Sequence, residues 1–153
     1  MFTSKIYSKW MKEVQFEKYE DMKEVLPEMK GRILDVGIGP GWFEEFFGIE
    51  TIGVDVDKNS KARVIAHGDF LPFKSEVFDF VVCLDTVHLI KGSDIERVLK
   101  KGGVLVVSHF MREGEDVEKK LLNIFPKFKL LKKKVAGKRE KDLVLVMQKG
   151  PVV

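Results

Sequence analysis

One cysteine, Cys83, stands in this chain of 153 residues, inside the apolar run Phe78-Asp79-Phe80-Val81-Val82-Cys83-Leu84. A disulfide framework needs pairs and a zinc site needs clustered thiols or imidazoles, so both are excluded. The thiol reads as a small buried hydrophobe. Histidine is equally sparse: His67, His88 and His109 are scattered along the chain, show no metal spacing, and no metal is expected. No uninterrupted apolar run approaches the roughly 20 residues of a membrane span. Met1-Phe2-Thr3-Ser4-Lys5 lacks the apolar stretch of a signal peptide. These absences point to a cytoplasmic protein without a membrane partner. A surplus of one charge is also missing: 33% of residues are charged, but the net charge is only +3, which is not a nucleic-acid signature. Asn and Gln number four together, beside abundant Lys and Glu, a usage resembling that of thermophiles. Repeats, low-complexity tracts and linkers are absent as well. What remains is a chain with 44% hydrophobic residues, enough for one well-formed core.

The periodicity predicts helix over 4–29, with an apolar stripe through Ile6, Tyr7, Trp10, Met11 and Val14 and then Tyr19, Met22, Val25, Leu26 and Met29. A break near Gln15 would make two helices, and Pro27 and Gly31 end the region. Strands are expected at 32–36, 51–56, 63–66, 78–84, 104–108, 128–135 and 143–148. The first, fourth and fifth are almost continuously apolar, as in strands covered on both faces. Short helices fall at 42–47, 93–100 and 115–125, with Ser93-Asp94-Ile95-Glu96 as a capping box and Pro126 as a stop. The last two strands read as an antiparallel hairpin across Ala136-Gly137-Lys138. The expected fold is therefore α/β: a Rossmann-like, doubly wound, seven-stranded, mostly parallel sheet with an antiparallel C-terminal hairpin. It is read as a single domain over 1–153, with 1–30 a helical lid or cover and 31–153 the core. Residues 57–62 hold at most one helical turn, whereas a parallel crossover normally needs a dozen residues or more. That flank would be thinly covered, which suggests a homodimer.

The most informative segment is Ile33-Leu34-Asp35-Val36-Gly37-Ile38-Gly39-Pro40-Gly41, a buried strand running into three alternating glycines. Such a turn lets backbone N–H groups approach a ligand closely. A second strand ends at Asp55, where a nucleoside-binding fold holds ribose hydroxyls. The spacing is Gly-x-Gly-x-Gly. A dinucleotide fingerprint would place its third glycine where bulky Trp42 stands, which argues against NAD or FAD. No Gly-Lys-Ser/Thr follows, so a P-loop is excluded too.

These residues resemble the class I S-adenosylmethionine-dependent methyltransferases, best the type 11-like, small-molecule branch. Leu34 to Gly41 is similar to the first family motif, and Gly53-Val54-Asp55 to the end of the second. Gly68-Asp69-Phe70-Leu71-Pro72-Phe73 resembles the third, one residue shorter. Phe78 to Val82 resembles the strand-four motif, and Arg97-Val98-Leu99-Lys100-Lys101-Gly102-Gly103 the turn before strand five, with Lys101 in place of proline. The motifs keep the family order over residues 32–108. The resemblance implies S-adenosylmethionine as cofactor and S-adenosylhomocysteine as product. It implies that Gly37, Gly39 and Gly41 pass under the methionine part, with Asp35 orienting the loop. Asp55 would accept from both ribose hydroxyls, Asp69 would face the adenine amino group, and Phe70 and Leu71 would line the ring. Asp85 would sit at the mouth where the methyl group points.

A sulfonium methyl is already activated, so alignment and exclusion of water can supply much of the acceleration. A base is needed only if the acceptor must lose a proton. His88 and Asp85 are the candidates, with His109 a further one; His67 reads as structural. The strand-four segment Leu84-Asp85-Thr86-Val87 is not the Asn-Pro-Pro-Tyr type that grips a planar amino group in nucleic-acid or glutamine methylation. Tyr7, Trp10, Tyr19 and Trp42 could form an aromatic lid, although the helical ones share the apolar stripe and read as core. Residues 127–141 carry eight cations and one acid, read as the solvated face of the hairpin. The expected function is methyl transfer to a small molecule. The alternatives are a non-catalytic cofactor-binding protein or a subunit needing a partner, and, third, RNA methylation.

Overall fold

Alternating helical and strand periodicities become one layered sheet. Helix α1 (Ser4–Met22) precedes β1 (Ile33–Val36), α2 (Trp42–Phe47), β2 (Ile52–Asp55), β3 (Val64–Ile65), β4 (Phe78–Leu84), α3 (Ser93–Val98), β5 (Leu99–Phe110), α4 (Val117–Ile124), β6 (Phe128–Ala136) and β7 (Asp142–Lys149). The computed structural model describes residues 4–87 and 90–150, with side chains from residue 8 onward. The seven strands lie in the order β3-β2-β1-β4-β5-β7-β6. The first five in chain order run parallel, and β7 enters antiparallel between β5 and β6. The expected Rossmann-like, mostly parallel sheet with its antiparallel hairpin is thus present. Among the described residues, no helix is long and apolar enough to cross a membrane.

Alternation along β4 shows how the two faces are built. Phe80 and Val82 point to one side and join Tyr19, Met22, Phe43, Val106, Val144 and Val146 beneath α1 and α2. Val81 and Cys83 point to the other and join Leu34, Leu105, Val107, Leu121 and Phe125 beneath α3 and α4. Cys83 is fully buried, and burial pushes its thiol up to about 12. The α1–α2 seam is aromatic: Tyr19 meets Phe43 edge-on at 5.5 Å, and Phe43 meets Phe47 at 4.7 Å.

Several boundaries differ from the sequence reading, each for a local reason. Helix α1 is continuous through Gln15 and ends at Met22. Leu26 N–H still bonds Met22 O at 3.0 Å, but Pro27 disfavours helical backbone at the residue before it. The capping box does not form. Gly92 takes the cap position at φ 92°, and Ser93 is already helical. A Cβ at Gly92 would stand 2.8 Å from Ile124, so packing of α4 selects glycine there. Helix α3 stops at Val98 because Leu99 turns extended, is fully buried, and pairs with Phe78. Strand β5 therefore starts earlier than expected, with a register shift before Val104. Between β2 and β3 the chain makes turns and no helix, and Ile65 is left 54% exposed on that edge.

Candidate functional site

The parallel strands all end on one rim, and the glycine loop begins there. Gly37 and Ile38 both donate to Val54 O, at 2.8 and 3.1 Å, which curls the loop over the end of β2. Gly37 and Gly39 have φ of 81° and 54°, a left-handed backbone that favours glycine. A Cβ at Gly39 would meet nothing within 4 Å, so that side of the loop opens outward. Asp55 is half-buried at the tip of β2. One oxygen accepts Gly39 N–H at 2.9 Å, and the other accepts Asp57 N–H at 2.9 Å. A carboxylate has about four acceptor positions, so two remain for a diol.

Beside Asp55 lies a crevice of about 90 Å³, walled by Val56, Ala66, His67 and Gly68 on one side and Gly37, Thr86 and Ile90 on the other. A larger groove of about 860 Å³ runs along α1 to Lys138 and Arg139, away from the glycine loop. Charged side chains line that groove, whereas the rim crevice adjoins Asp55 and the glycine loop. His67, read from sequence as structural, is part of the crevice wall. Asp69 lies just beyond it: Lys91 N–H bonds its Oδ1 at 2.8 Å, and its own N–H bonds His67 Nδ1 at 3.0 Å. Phe70 is 78% exposed, whereas Leu71 is buried in the core below.

The loop that carries Asp69 is held from behind. Arg97 donates to Phe73 O at 2.7 Å, to Leu71 O at 2.9 Å, and through Nε to Asp94 at 2.8 Å. Asp94 also accepts Leu71 N–H at 2.6 Å, and the Arg97 guanidinium holds its carboxyl below the usual range. Arg97→Ala is expected to lower stability by about 2 kcal/mol through these charge-assisted bonds, and to weaken S-adenosylhomocysteine binding as the loop loosens. Thermal melts and calorimetry read the two effects; unchanged values in both would remove Arg97 from this role.

Two carboxyl pairs flank the rim, each with one buried member, Asp35 and Asp142. Asp35 is 4% exposed. Burial first, and then a hydrogen bond with Glu44, push its carboxyl well above the usual range. Glu44 is fixed in turn by Thr51 Oγ1 at 2.7 Å. The second pair is Asp85 with Asp142. Asp85 caps β4 in a left-handed conformation, φ 60°, and its N–H bonds Ser108 O at 3.0 Å. Burial, followed by the hydrogen bond and charge of Asp142, pushes its carboxyl up to about 8. Lys18 of α1 lies 3.1 Å from Asp142, 3.5 Å from Glu140 and 3.9 Å from Asp85.

The rim thus brings together Gly37, Gly39, Gly41, Asp55, Asp69 and Asp85. Asp35 lies beneath the loop, and Leu71 packs below. His88 lies outside the described residues, as does the Tyr7 side chain. His109 is buried, stacks on Phe110 at 4.5 Å, and has Nδ1 2.7 Å from Phe110 O. Tyr19 is core, Trp42 packs against the same cluster, and Trp10 lies 5.9 Å from the Arg139 guanidinium at the surface. Sequence reasoning missed Lys18, Glu44, Asp94, Arg97, Glu140 and Asp142 as site supports. Lys18 alone carried a signal: it stands at helical spacing between Val14 and Met22, a charge inside an apolar stripe.

A glycine loop at the end of β1 and an acid at the end of β2 define a nucleoside-binding methyltransferase fold, and comparison with known proteins agrees. The methyltransferase domain family matches residues 34–107. The crystal structure of an S-adenosylmethionine-dependent methyltransferase from Thermotoga maritima, described as a possible histamine N-methyltransferase, superposes with a TM-score of 0.70. It is 22% identical and covers 94% of both chains. Residues 34–107 thus match the methyltransferase domain family, and the chain has the fold of the S-adenosylmethionine-dependent methyltransferases. An uncharacterised protein of Methanocaldococcus jannaschii is 33% identical over 124 residues, 71% of this chain and 59% of that protein. The human mitochondrial arginine-hydroxylase NDUFAF5 is 28% identical over 120 residues, 66% of this chain and 35% of its own length. The chain thus matches well under two thirds of either curated relative.

Proposed function

We propose that the chain transfers the methyl group of S-adenosylmethionine to a small-molecule acceptor. The cofactor fits the residues present. Asp55 keeps two acceptor positions for ribose hydroxyls, and Gly39 leaves open space for the methionine part. Asp69 retains Oδ2 for the adenine amino group, and Phe70 stands ready to cover the ring. Asp35, turned toward Glu44, supports the loop from below. When bound, S-adenosylmethionine supplies a methyl group already activated on sulfur. The chain then contributes alignment, exclusion of water, and a place for the acceptor's proton.

Asp85 is that place, and it carries the reading. Its carboxyl stands at the end of β4 beside Asp142, its side chain 28% exposed, and burial with that neighbour raises its affinity for protons toward neutral pH. On the hairpin Lys133 is paired with Glu118 and Lys134 with Glu24, at 2.8 and 2.7 Å. The net charge of only +3 supports a small acceptor over nucleic acid. Because one relative is an arginine hydroxylase, the deciding assay follows the methyl group itself. The protein is incubated with methyl-labelled S-adenosylmethionine and a metabolite pool, and also with RNA. Label in a small molecule is the expected result. Binding of S-adenosylhomocysteine with no transfer to any acceptor would favour a partner-dependent or non-catalytic role. Label in RNA would overturn the acceptor class.

The uncovered edge at β3 supports self-association, with Val56 and Ile65 exposed there at 64% and 54%. Light scattering is expected to report a dimer that dissociates on dilution; a monomer at all concentrations would remove the idea.

A further inference from the structure

Lys18 is 3% exposed, yet it comes from a helix that otherwise covers the sheet with apolar side chains. Its neighbours Val14 and Met22, one turn to either side, are 0% and 2% exposed. A methionine there would fill the same volume without the cost of burying an ammonium group. What Lys18 reaches differs from what a surface lysine reaches. Strands β4 and β7 are separated by β5, and their carboxyl groups meet over the end of that strand, where Asp142 pairs with Phe110 and Asp85 N–H bonds Ser108. The Lys18 ammonium lies against both carboxyls and against Glu140.

We propose that Lys18 is a positioning residue for methyl transfer, which reaches from α1 across the ends of β4 and β7 and holds Asp85, through Asp142, at the acceptor mouth. This rests on the reading of Asp85 as the group that receives the acceptor's proton. The helix is placed for the task by the residues around Lys18. Gly137 N–H donates to Asp21 at 2.8 Å, and Arg139 donates to Glu17 at 2.8 Å, so three adjacent α1 side chains face the β6–β7 turn. Gly137 has φ 107° and a Cβ there would collide with the Glu140 carbonyl, so the turn itself selects glycine, and the Lys18 stem packs beside it. The groups facing Asp85 are Lys18 and Tyr19 from α1, Cys83 from its own strand, Ser108 from β5, Asp142 from β7 and Glu140 from the turn. Of these, Lys18 is the cation among the described residues. When Asp85 accepts or releases a proton, Lys18 and Asp142 pull its ionisation in opposite directions. The lysine favours the carboxylate form, and Asp142 opposes it.

Opposite shifts make the test. Protein carrying ¹³C-carboxyl aspartate is titrated by NMR, with the Asp85 signal assigned by its loss in Asp85→Asn. Lys18→Met is expected to move the Asp85 midpoint up by about one pH unit or more, and Asp142→Asn to move it down by a similar amount. Lys18→Arg should restore the wild-type midpoint to within about half a unit. Affinity for S-adenosylhomocysteine should change less than about twofold in all three, because none is assigned to the cofactor. If Lys18→Met fails to fold, Lys18→Arg and Asp142→Asn still judge the proposal. A midpoint that Lys18→Met leaves in place, or that both substitutions move the same way, overturns it. Failure of wild-type protein to bind S-adenosylhomocysteine would instead sink the reading of the site, since the titration does not depend on cofactor.

Discussion

Asp85→Asn is expected to cut methyl transfer by about 10²–10⁴-fold, the range for loss of a general base, while making the protein more stable. The two effects share one cause. Burial and Asp142 raise the Asp85 carboxyl to about 8, far above its ordinary range near 3.8. A carboxyl raised on folding binds its proton more tightly in the native state, so its contribution is fully present below pH ~4 and is lost as pH climbs to about 8. The slope is at most about 1.4 kcal/mol per pH unit for one such group. Asparagine keeps the shape and the hydrogen bond toward Asp142, tolerates the left-handed backbone at φ 60°, and cannot ionise. Melting temperatures of the variant should therefore exceed wild type at pH 8 by more than at pH 5. Asp35, raised in the same sense, keeps part of the wild-type slope in the variant. The wild-type rate should climb with pH up to about 8 and then level, as Asp85 becomes a free carboxylate. A pH-independent rate, or an Asp85→Asn protein that is active, would take Asp85 out of the chemistry.

Asp55→Ala should weaken S-adenosylhomocysteine binding by about 10- to 100-fold, the equivalent of one or two hydrogen bonds to a charged acceptor. The carboxylate has a double duty. It accepts Gly39 and Asp57 N–H groups and so shapes the glycine loop before any ligand arrives. On the proposed reading its remaining lone pairs serve the ribose. Truncation removes both functions, whereas Asp55→Asn keeps one acceptor oxygen and should fall between the two proteins. Calorimetry at constant pH measures the order. Equal affinity for all three would leave the ribose without its aspartate. A fold that melts far below wild type in Asp55→Ala alone would show that the loop, rather than the sugar, is the larger beneficiary.

The class of fold and the glycine loop were legible in the sequence because they depend on short-range chemistry. Near-continuous apolar runs at 78–84 and 104–108 can only be strands covered on both faces, and β4 begins and ends where the pattern does. Glycines at 37, 39 and 41 signal a left-handed loop because few other residues adopt that backbone, and an acid at the end of the next strand must face the same rim. Boundaries fared worse where a distant contact won. Ser93 looked like a cap, but α4 packs so closely that Gly92 takes the position. Leu99 looked helical, but its side chain is worth more in the core beside Phe78.

Local pattern alone settled a parallel sheet, a glycine turn and an aspartate at the end of the next strand, since each lies within a few residues of its cause. Only tertiary structure decided the charged cluster at the end of β5. Lys18, Asp85 and Asp142 are separated by most of the chain, and no spacing rule joins them. Their meeting is produced by β7 inserting antiparallel beside β5 and by α1 lying across the rim. The physical reason is that a charge's behaviour is set by what surrounds it in space. A lysine in an apolar stripe gains charged partners only once the fold places two carboxyls beneath it.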